Sequence, residues 1–546
     1  MNNFNRLSKK TVNKFIQNIV FIDDRAYENS NPNDQHDFDA KTITNVFSKD
    51  GKVCAVYQPI AEDELSSLIK VSKKSDVTVL DWQMNLQRSN LPSINTNDED
   101  DDQDDDYRGI FTKKIIYELL SDNKLKNSIK LILIYTGEVN LSSITEDVYI
   151  NMDEKYRDNF KIDESDSCSI ISDSCKIMVI AKSNTQENPG RGQHFQELAN
   201  KTVSYDALPK FITNEFTKLT SGLLSNFAME SLSEIRNNFN HIINLFSKNL
   251  DSAYLAHKVL LPNTQDANEL LVDILGSTFT SIIRYKGLNK YLDDKRISIW
   301  IENNVIEENY KIDNSNQAQF FKSHELLKKL IVSHHNVEDK FHSAINHELT
   351  NKIAKNNINK IISNSTITLF TKSPDHELTN NKFANLCQHR NIIPIENHRQ
   401  SLTSGTIVQS TYNNTFYICI QQKCDSVRLE NDKPRRFLFL SLTEINSESS
   451  SKKFDFLTPS GIKLRVDEGT YSLRTVKFQS LNNTVETRNI RGKKYFYPYH
   501  YSKKIYERFL FIVELQDMYT QQIIENYSAS LSRIGLDKPE WVRRLK

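Results

Sequence analysis

The first two hundred residues constrain this chain most. Short runs of β-branched and aliphatic residues alternate there with stretches whose apolar residues recur at helical spacing. Residues 18–23 (NIVFID), 52–57 (KVCAVY), 76–80 (DVTVL), 130–135 (KLILIY) and 176–180 (KIMVI) read as strands, with helical stretches at 41–47, 61–70 and 111–120. A strand that is apolar along its whole length needs cover on both faces, and a helix between strands is the connection that makes neighbours parallel. The pattern predicts a doubly wound α/β domain built on a five-stranded parallel sheet.

At 546 residues the chain is too long for one core, and three or four domains of about 150 residues are expected. From about residue 205 to 363 the pattern is helical and rich in Asn, Lys and Leu; residues 223–246 read as one amphipathic helix, with further helices at 270–283 and 326–332. After residue 401 short alternating segments follow at 405–409, 415–421, 427–429, 436–442, 464–466 and 472–478. They predict a small β-barrel-like module, closed by a terminal helix at roughly 502–531. The expected division is an α/β domain over 1–220, a helical domain over 221–400 and a β-rich module with a C-terminal helix over 401–546. Two polar inserts interrupt the first domain. Residues 28–37 form a polar loop, and residues 95–106 (NTNDEDDDQDDD) an acidic tract, densest at 98–106, that reads as a solvated, self-repelling loop.

Composition narrows the functional classes. Seventy Lys and Arg balance seventy Asp and Glu, so no global field draws the chain to nucleic acid or an anionic membrane. The six cysteines are scattered without a CxxC pair, which argues against a disulfide scaffold or a four-cysteine zinc site and suits a reducing cytoplasm. The N-terminal residues lack the apolar core of a signal peptide, and the longest apolar runs fall far below the ~20 residues of a membrane helix.

The informative chemistry lies at the carboxyl ends of the expected strands, where an open parallel sheet forms its ligand crevice. The first strand runs into Asp23 and Asp24, and the third into Asp81. The fourth ends at Thr136, and the fifth at Lys182. Three clustered carboxylates repel one another unless a cation or proton compensates them, and hard oxygen ligands suit Mg²⁺. A carboxylate beside such a cation can accept a phosphoryl group, whose oxygens a hydroxyl and an ammonium would then stabilise. An Asp-Asp pair after a strand is alone no more than a turn or cap; four elements in order, each ending a β-like run, make a site.

At these residues the chain resembles the receiver domain of bacterial response regulators, over about residues 15–220. The resemblance implies that Asp23, Asp24 and Asp81 hold Mg²⁺, that Asp81 is the phosphoacceptor, and that Thr136 is the switch hydroxyl and Lys182 the phosphate-contacting lysine. It also implies phosphoryl uptake from a histidine kinase, followed by rearrangement of the face formed by the fourth and fifth strands. There are departures. The gaps from Asp24 to Asp81 (57 positions) and from Thr136 to Lys182 (46 positions) are longer than usual. Ser183 stands where receivers have proline, Val179 where they place the swinging aromatic, and Gly137 where they have alanine. Phosphate chemistry is therefore expected to survive with an altered or absent output switch.

No basic recognition helix follows, which argues against a transcription factor. A divergent receiver followed by a helical region and a β module is similar to the standalone receiver component of Detocs-type anti-phage defence phosphorelays. The resulting expectation is a cytoplasmic phosphoacceptor serving as phosphate sink or relay scaffold. It is not an enzyme beyond Mg²⁺-dependent self-phosphorylation and dephosphorylation. Its expected partners are a histidine kinase and an effector from the same operon, with a homodimer possible, no membrane, and nucleic acid disfavoured. Two rivals stand beside it: a phosphate-independent interaction module regulating an ATPase or effector, and a nucleic-acid-binding effector acting through the C-terminal module.

Other motifs carry less. His241 on its amphipathic helix, and the run His334, His335, His342 and His347, read as packing or surface histidines without metal spacing. Cys419 and Cys424 read as structural thiols, although Cys424, Asp425 and Arg428 could form a binding surface. Residues 189–192 (PGRG) are too brief for a phosphate loop. The basic, aromatic run 491–501 (RGKKYFYPYHY) resembles a single-strand platform in composition, but zero net charge favours a partner-binding or packed surface.

Overall fold

A computed structural model describes residues 3–28, 37–87, 108–122, 128–183, 194–264, 266–311, 319–334, 336–347, 366–390, 398–427, 429–431, 433–445, 454–467, 472–480, 483–499 and 507–531. The acidic tract, the PGRG turn, His335, Arg428 and nearly all of the 28–37 loop lie outside the described residues. The chain divides into two compact units, Met1–Ile306 and Glu307–Lys546.

The first unit runs α1 (Asn3–Phe15), β1 (Asn18–Ile22), α2 (Ala40–Lys49), β2 (Val53–Tyr57), α3 (Leu65–Ser72), β3 (Val77–Leu80), α4 (Ile110–Ser121), β4 (Lys130–Thr136) and α5 (Leu141–Ile150). It continues through α6 (Glu154–Arg157), β5 (Lys161–Asp163), β6 (Asp166–Ile171), β7 (Cys175–Lys182), α7 (Phe195–Lys201), β8 (Thr202–Val203), α8 (Leu208–Thr220) and α9 (Leu223–Asn237). The five anticipated strands form a parallel sheet in the order β2-β1-β3-β4-β7.

The sheet is wider than the expected five strands. An antiparallel hairpin, β5–β6, adds to the outer edge of β7, with Ile170 opposite Ile177, while β8 pairs in parallel with the last residues of β7. The hairpin accounts for much of the long gap between Thr136 and Lys182. Its residues include Asp163, Asp166 and several serines. It therefore lacks the apolar run that betrays a buried strand.

Alternate strand residues point to opposite faces, and both faces are covered. Val20, Ile22, Ile132, Ile134 and Val179 pack with Leu65, Ile115 and Val148 of α3, α4 and α5. Phe21, Val79, Leu133, Met178 and Ile180 pack with Val12, Phe47, Ile212, Phe216 and Met229, which α1, α2, α8 and α9 supply. That is why the strands read as unbroken apolar runs.

The stretch expected as one helix over 223–246 is two, α9 and α10 (Phe239–Leu245). Asn238 Nδ2 donates to the Glu234 carbonyl (2.7 Å), capping a carbonyl that a continuing helix would have used, and the chain turns there. Helices α11 (Asp251–Leu260), α12 (Asp266–Tyr285) and α13 (Asp294–Asn304) complete this unit.

The second unit opens with an antiparallel hairpin, β9 (Glu308–Lys311) and β10 (Gln319–Lys322), inside a region expected to be wholly helical. Helices follow at His324–Val332, Val337–His347 and His376–Gln388. The C-terminal module is a nine-stranded antiparallel sheet. Its strands are β11 (Thr406–Ser410), β12 (Phe416–Cys419), β13 (Pro434–Glu444), β14 (Phe456–Leu457), β15 (Lys463–Val466), β16 (Leu473–Gln479), β17 (Arg488–Ile490), β18 (Lys493–Phe496) and β19 (Phe509–Glu514).

A bridge between Phe478 and Pro498 joins the end of β16 to the chain leaving β18 and rolls the sheet on itself, around Phe437, Phe439, Phe478, Phe496 and Phe509. No strand covers Val427. The expected helix over 502–531 is also corrected: residues 509–514 are β19, and the helix runs Asp517–Leu531. Phe509 packs on one side of β19 and Val513 joins a second cluster, so a run apolar on both sides is a buried strand here. No helix among the described residues is long and apolar enough to cross a membrane.

Candidate functional site

Parallel pairing levels the strand ends. Because β1 is bonded to β2 and β3, the Asp23 N–H donates to the Tyr57 carbonyl (3.1 Å) and the Asp81 N–H to the Ile22 carbonyl (2.9 Å). Both acids thus stand one residue past the ladder, at the same height. On the far side of β4, Lys182 ends β7 and Thr136 ends β4, with Thr136 in register with Ala181.

Lys182 crosses to the acids. Its Nζ donates to Asp23 Oδ2 at 2.9 Å and forms an ion pair with Asp81 Oδ1 at 3.0 Å. It also lies 5.3 Å from the centre of the Phe38 ring. All three charged side chains are at most 3 % exposed, which makes this a desolvated triad rather than a surface contact. The remaining lone pairs are met locally: Asp23 Oδ1 accepts from the Arg25 N–H and Asp81 Oδ2 from the Gln83 N–H, each at 2.9 Å. Thr112 on α4 donates its hydroxyl to the Asp81 carbonyl at 2.5 Å and so anchors the loop that carries the acid.

Burial dominates the electrostatics. It pushes the Asp23 carboxyl up to about 6, with Lys182 opposing and Asp81 reinforcing the rise. Asp81 is raised for the same reason, against the pull of Lys182. Burial alone would lower the Lys182 pKa, but Asp81 and Asp23 outweigh it and the ammonium is held charged above its ordinary range.

Asp24 and Thr136 stand apart from this direct contact. Asp24 is half-buried, and its Oδ2 accepts from the Asn85 N–H (2.9 Å). Thr136 is buried, and its Oγ1 accepts from the Glu138 N–H (3.1 Å), which leaves its O–H available to donate.

Among the described residues no three His, Cys, Asp or Glu side chains come together as a ready-made metal cage. Lys182, rather than open space, lies between Asp23 and Asp81. Even so, Asp24 Oδ1 is a buried oxygen without a hydrogen-bond partner, and a buried acceptor left so costs free energy; Asp81 Oδ1 meets only the Lys182 ammonium. The open oxygen, on a carboxylate next in the chain to Asp23 and held to the Asp81 loop through the Asn85 N–H, belongs to a donor set that fits a hard divalent cation such as Mg²⁺.

Several residues that brace the site or the sheet beneath it had no local signal in the sequence. Gly109, at φ +76°, lies so close to Trp82 that a Cβ there would fall 2.1 Å from the ring. A side chain at 109 would therefore displace the residue that follows Asp81. Glu197 of α7 accepts from the Ser142 N–H at the start of α5 and from the Cys168 thiol. Lys176 and Glu215 form a buried ion pair (2.8 Å) that ties β7 to α8. Each of these pairs joins segments dozens of residues apart.

Elsewhere, His241 and His334 are exposed, and the His347 side chain lies outside the described residues. Cys419 is buried, its thiol pushed up to about 12 by burial, and Cys424 is exposed.

Neither a curated protein nor a solved structure matches the chain. Residues 15–187 match the family model of the response receiver domain, and the first unit therefore carries a receiver domain.

Proposed function

We propose that the protein accepts a phosphoryl group on Asp81 from a partner histidine kinase. The observation that carries this reading is the direct contact of one ammonium, Lys182, with two buried carboxylates at the end of a parallel sheet. In the step, an Asp81 carboxylate oxygen bonds to phosphorus as the bond from phosphorus to the donor nitrogen breaks, its electron pair returning to the imidazole. Lys182 then shifts its hydrogen bonds from carboxylate to phosphoryl oxygens, and the Thr136 hydroxyl donates to another. Mg²⁺, held by Asp23, Asp24 and Asp81, would neutralise charge on the phosphoryl oxygens.

Pairing of β6 along β7 supports a phosphate sink or relay scaffold over a switch that moves that edge. On this reading the chain turns over no other substrate. The resemblance to standalone receivers of anti-phage phosphorelays extends the proposal to a role in defence, with an effector protein downstream.

Incubation with Mg²⁺ and acetyl phosphate or the cognate kinase, read by intact mass, should add one phosphoryl group to the wild type and none to Asp81→Asn. Equal labelling of the two proteins would refute the assignment. In cells, the Asp81→Asn variant should change survival under phage challenge if the role is defensive.

A further inference from the structure

We infer that the outer face of β17–β18–β19 binds single-stranded nucleic acid. Zero net charge hides a strong local asymmetry. Residues 487–499 hold four Lys or Arg and no acid, while eight of the seventy acidic residues sit in the tract 95–106.

The strand geometry sorts the basic stretch into two faces. Phe496 and Phe509 point into the module core, so their neighbours Lys493, Tyr495 and Tyr497 point outward. Arg488 stands opposite Tyr495 in register, and Leu510 flanks Tyr495 from the other side. The Arg488 guanidinium lies 5.2 Å from the Tyr497 ring centre, and Arg508 lies 5.1 Å from that of Tyr495. The result is a cross-strand ladder of cations and rings turned to solvent.

The bland reading is that such stacks merely stabilise a hairpin. Two observations go further. First, the flanking acids are engaged elsewhere: Glu507 is buried against Arg474 (2.6 Å), and Glu486 lies 3.6 Å from Arg399. They leave the ladder positive. Second, the β17–β18 turn places Arg491 at φ +51° beside Gly492 at φ +79°. A two-residue turn of this kind favours Asn or Asp followed by Gly, and an arginine there is strained. A strained cation at the tip of a basic hairpin extends the charged face.

A stacked guanidinium keeps its N–H donors for phosphate, and tyrosine and guanidinium planes accept bases of any sequence. Single strands offer both phosphates and unstacked bases, whereas a duplex hides its bases. The ligand that matches this face is therefore single-stranded.

The test uses the full chain and fluorescence anisotropy of labelled oligo(dT) and oligo(U) of about 20 nucleotides at about 50 and 200 mM salt. Binding should be single-strand selective and weaken with salt. Tyr495→Ala/Tyr497→Ala should bind about tenfold or more weakly, Tyr495→Phe/Tyr497→Phe should bind as the wild type does, and Arg488→Gln/Arg508→Gln should lower the salt slope. Heparin should bind the Ala and Phe pairs equally, because it has no bases to stack. No binding at low salt, a preference for duplex, or loss of oligonucleotide binding in the Phe pair would each overturn the inference. So would equal binding by the Ala pair and the wild type, or tighter binding of anionic vesicles or acidic peptides than of oligonucleotides.

Discussion

Lys182 matters because two buried carboxylates face each other across it. Removing one member of a buried ionic group leaves the others uncompensated, typically at a cost of about 3–5 kcal/mol. Lys182→Met should therefore lose stability on that scale in metal-free urea titrations, and a loss below about 1 kcal/mol would mean that the triad is solvated. Lys130 makes the opposite case. Its ammonium is buried and donates to the Ser72 and Ser75 carbonyls rather than to a carboxylate. Burial lowers its pKa to about 8, with Cys175 and Asp76 opposing. Between about pH 8 and 10.5 the unfolded chain holds this proton more tightly than the folded protein, so stability gains from this group as pH rises through that window. Relative to Lys130→Met, the wild type should gain about 3 kcal/mol from pH 7.5 to 10.5. No change in that difference would show the lysine to be ordinarily solvated.

Among the elements, α7 and β8 tie the chain beyond Lys182 back to the sheet. They follow Lys182 and return along the same edge: β8 pairs with Ala181 and Lys182, and Glu197 on α7 meets the N-terminal turn of α5. Helix α5 is thus capped twice, by the Asn140 side chain at the Ser143 N–H and by Glu197 at the Ser142 N–H. An acid at a helix N-terminus satisfies an orphan donor and the positive end of the helix dipole. Glu197→Ala should cost about 1–2 kcal/mol in urea unfolding and speed hydrogen exchange at the Ser142 amide. Unchanged exchange would show that Asn140 suffices. The elements that sequence reasoning missed are of this kind. The β5–β6 hairpin is polar and short, and α7 is one of many amphipathic stretches; their placement depends on partners far away in the chain.

For the whole molecule, the receiver family match ends at residue 187, but the core does not. Leu208, Ile212, Phe216 and Met229 complete the face of the sheet that Phe21, Phe47 and Met178 begin. A fragment of residues 1–187 would expose that face, whereas the unit Met1–Ile306 keeps it covered. Expressed alone, residues 1–306 should unfold cooperatively and take up phosphate on Asp81, while residues 1–187 should aggregate or lack a cooperative transition. Equal behaviour of the two fragments would show that the later helices are dispensable.

The strands of the parallel sheet and the acids at their ends were legible from residues alone. A strand buried on both faces must be apolar throughout, and a polar residue directly after such a run stands at the edge of the sheet. Asp23, Asp81, Thr136 and Lys182 were found in this way. Tertiary structure decided the rest, since pairing across long separations leaves no local period to read. It set Lys182 between two carboxylates, extended the sheet past β7, broke the 223–246 helix at Asn238 and turned 509–514 into a strand. It also sorted one basic, aromatic hairpin into a packed face and a solvent face. Net charge is a sum over the chain, and only folding determines where its terms are placed.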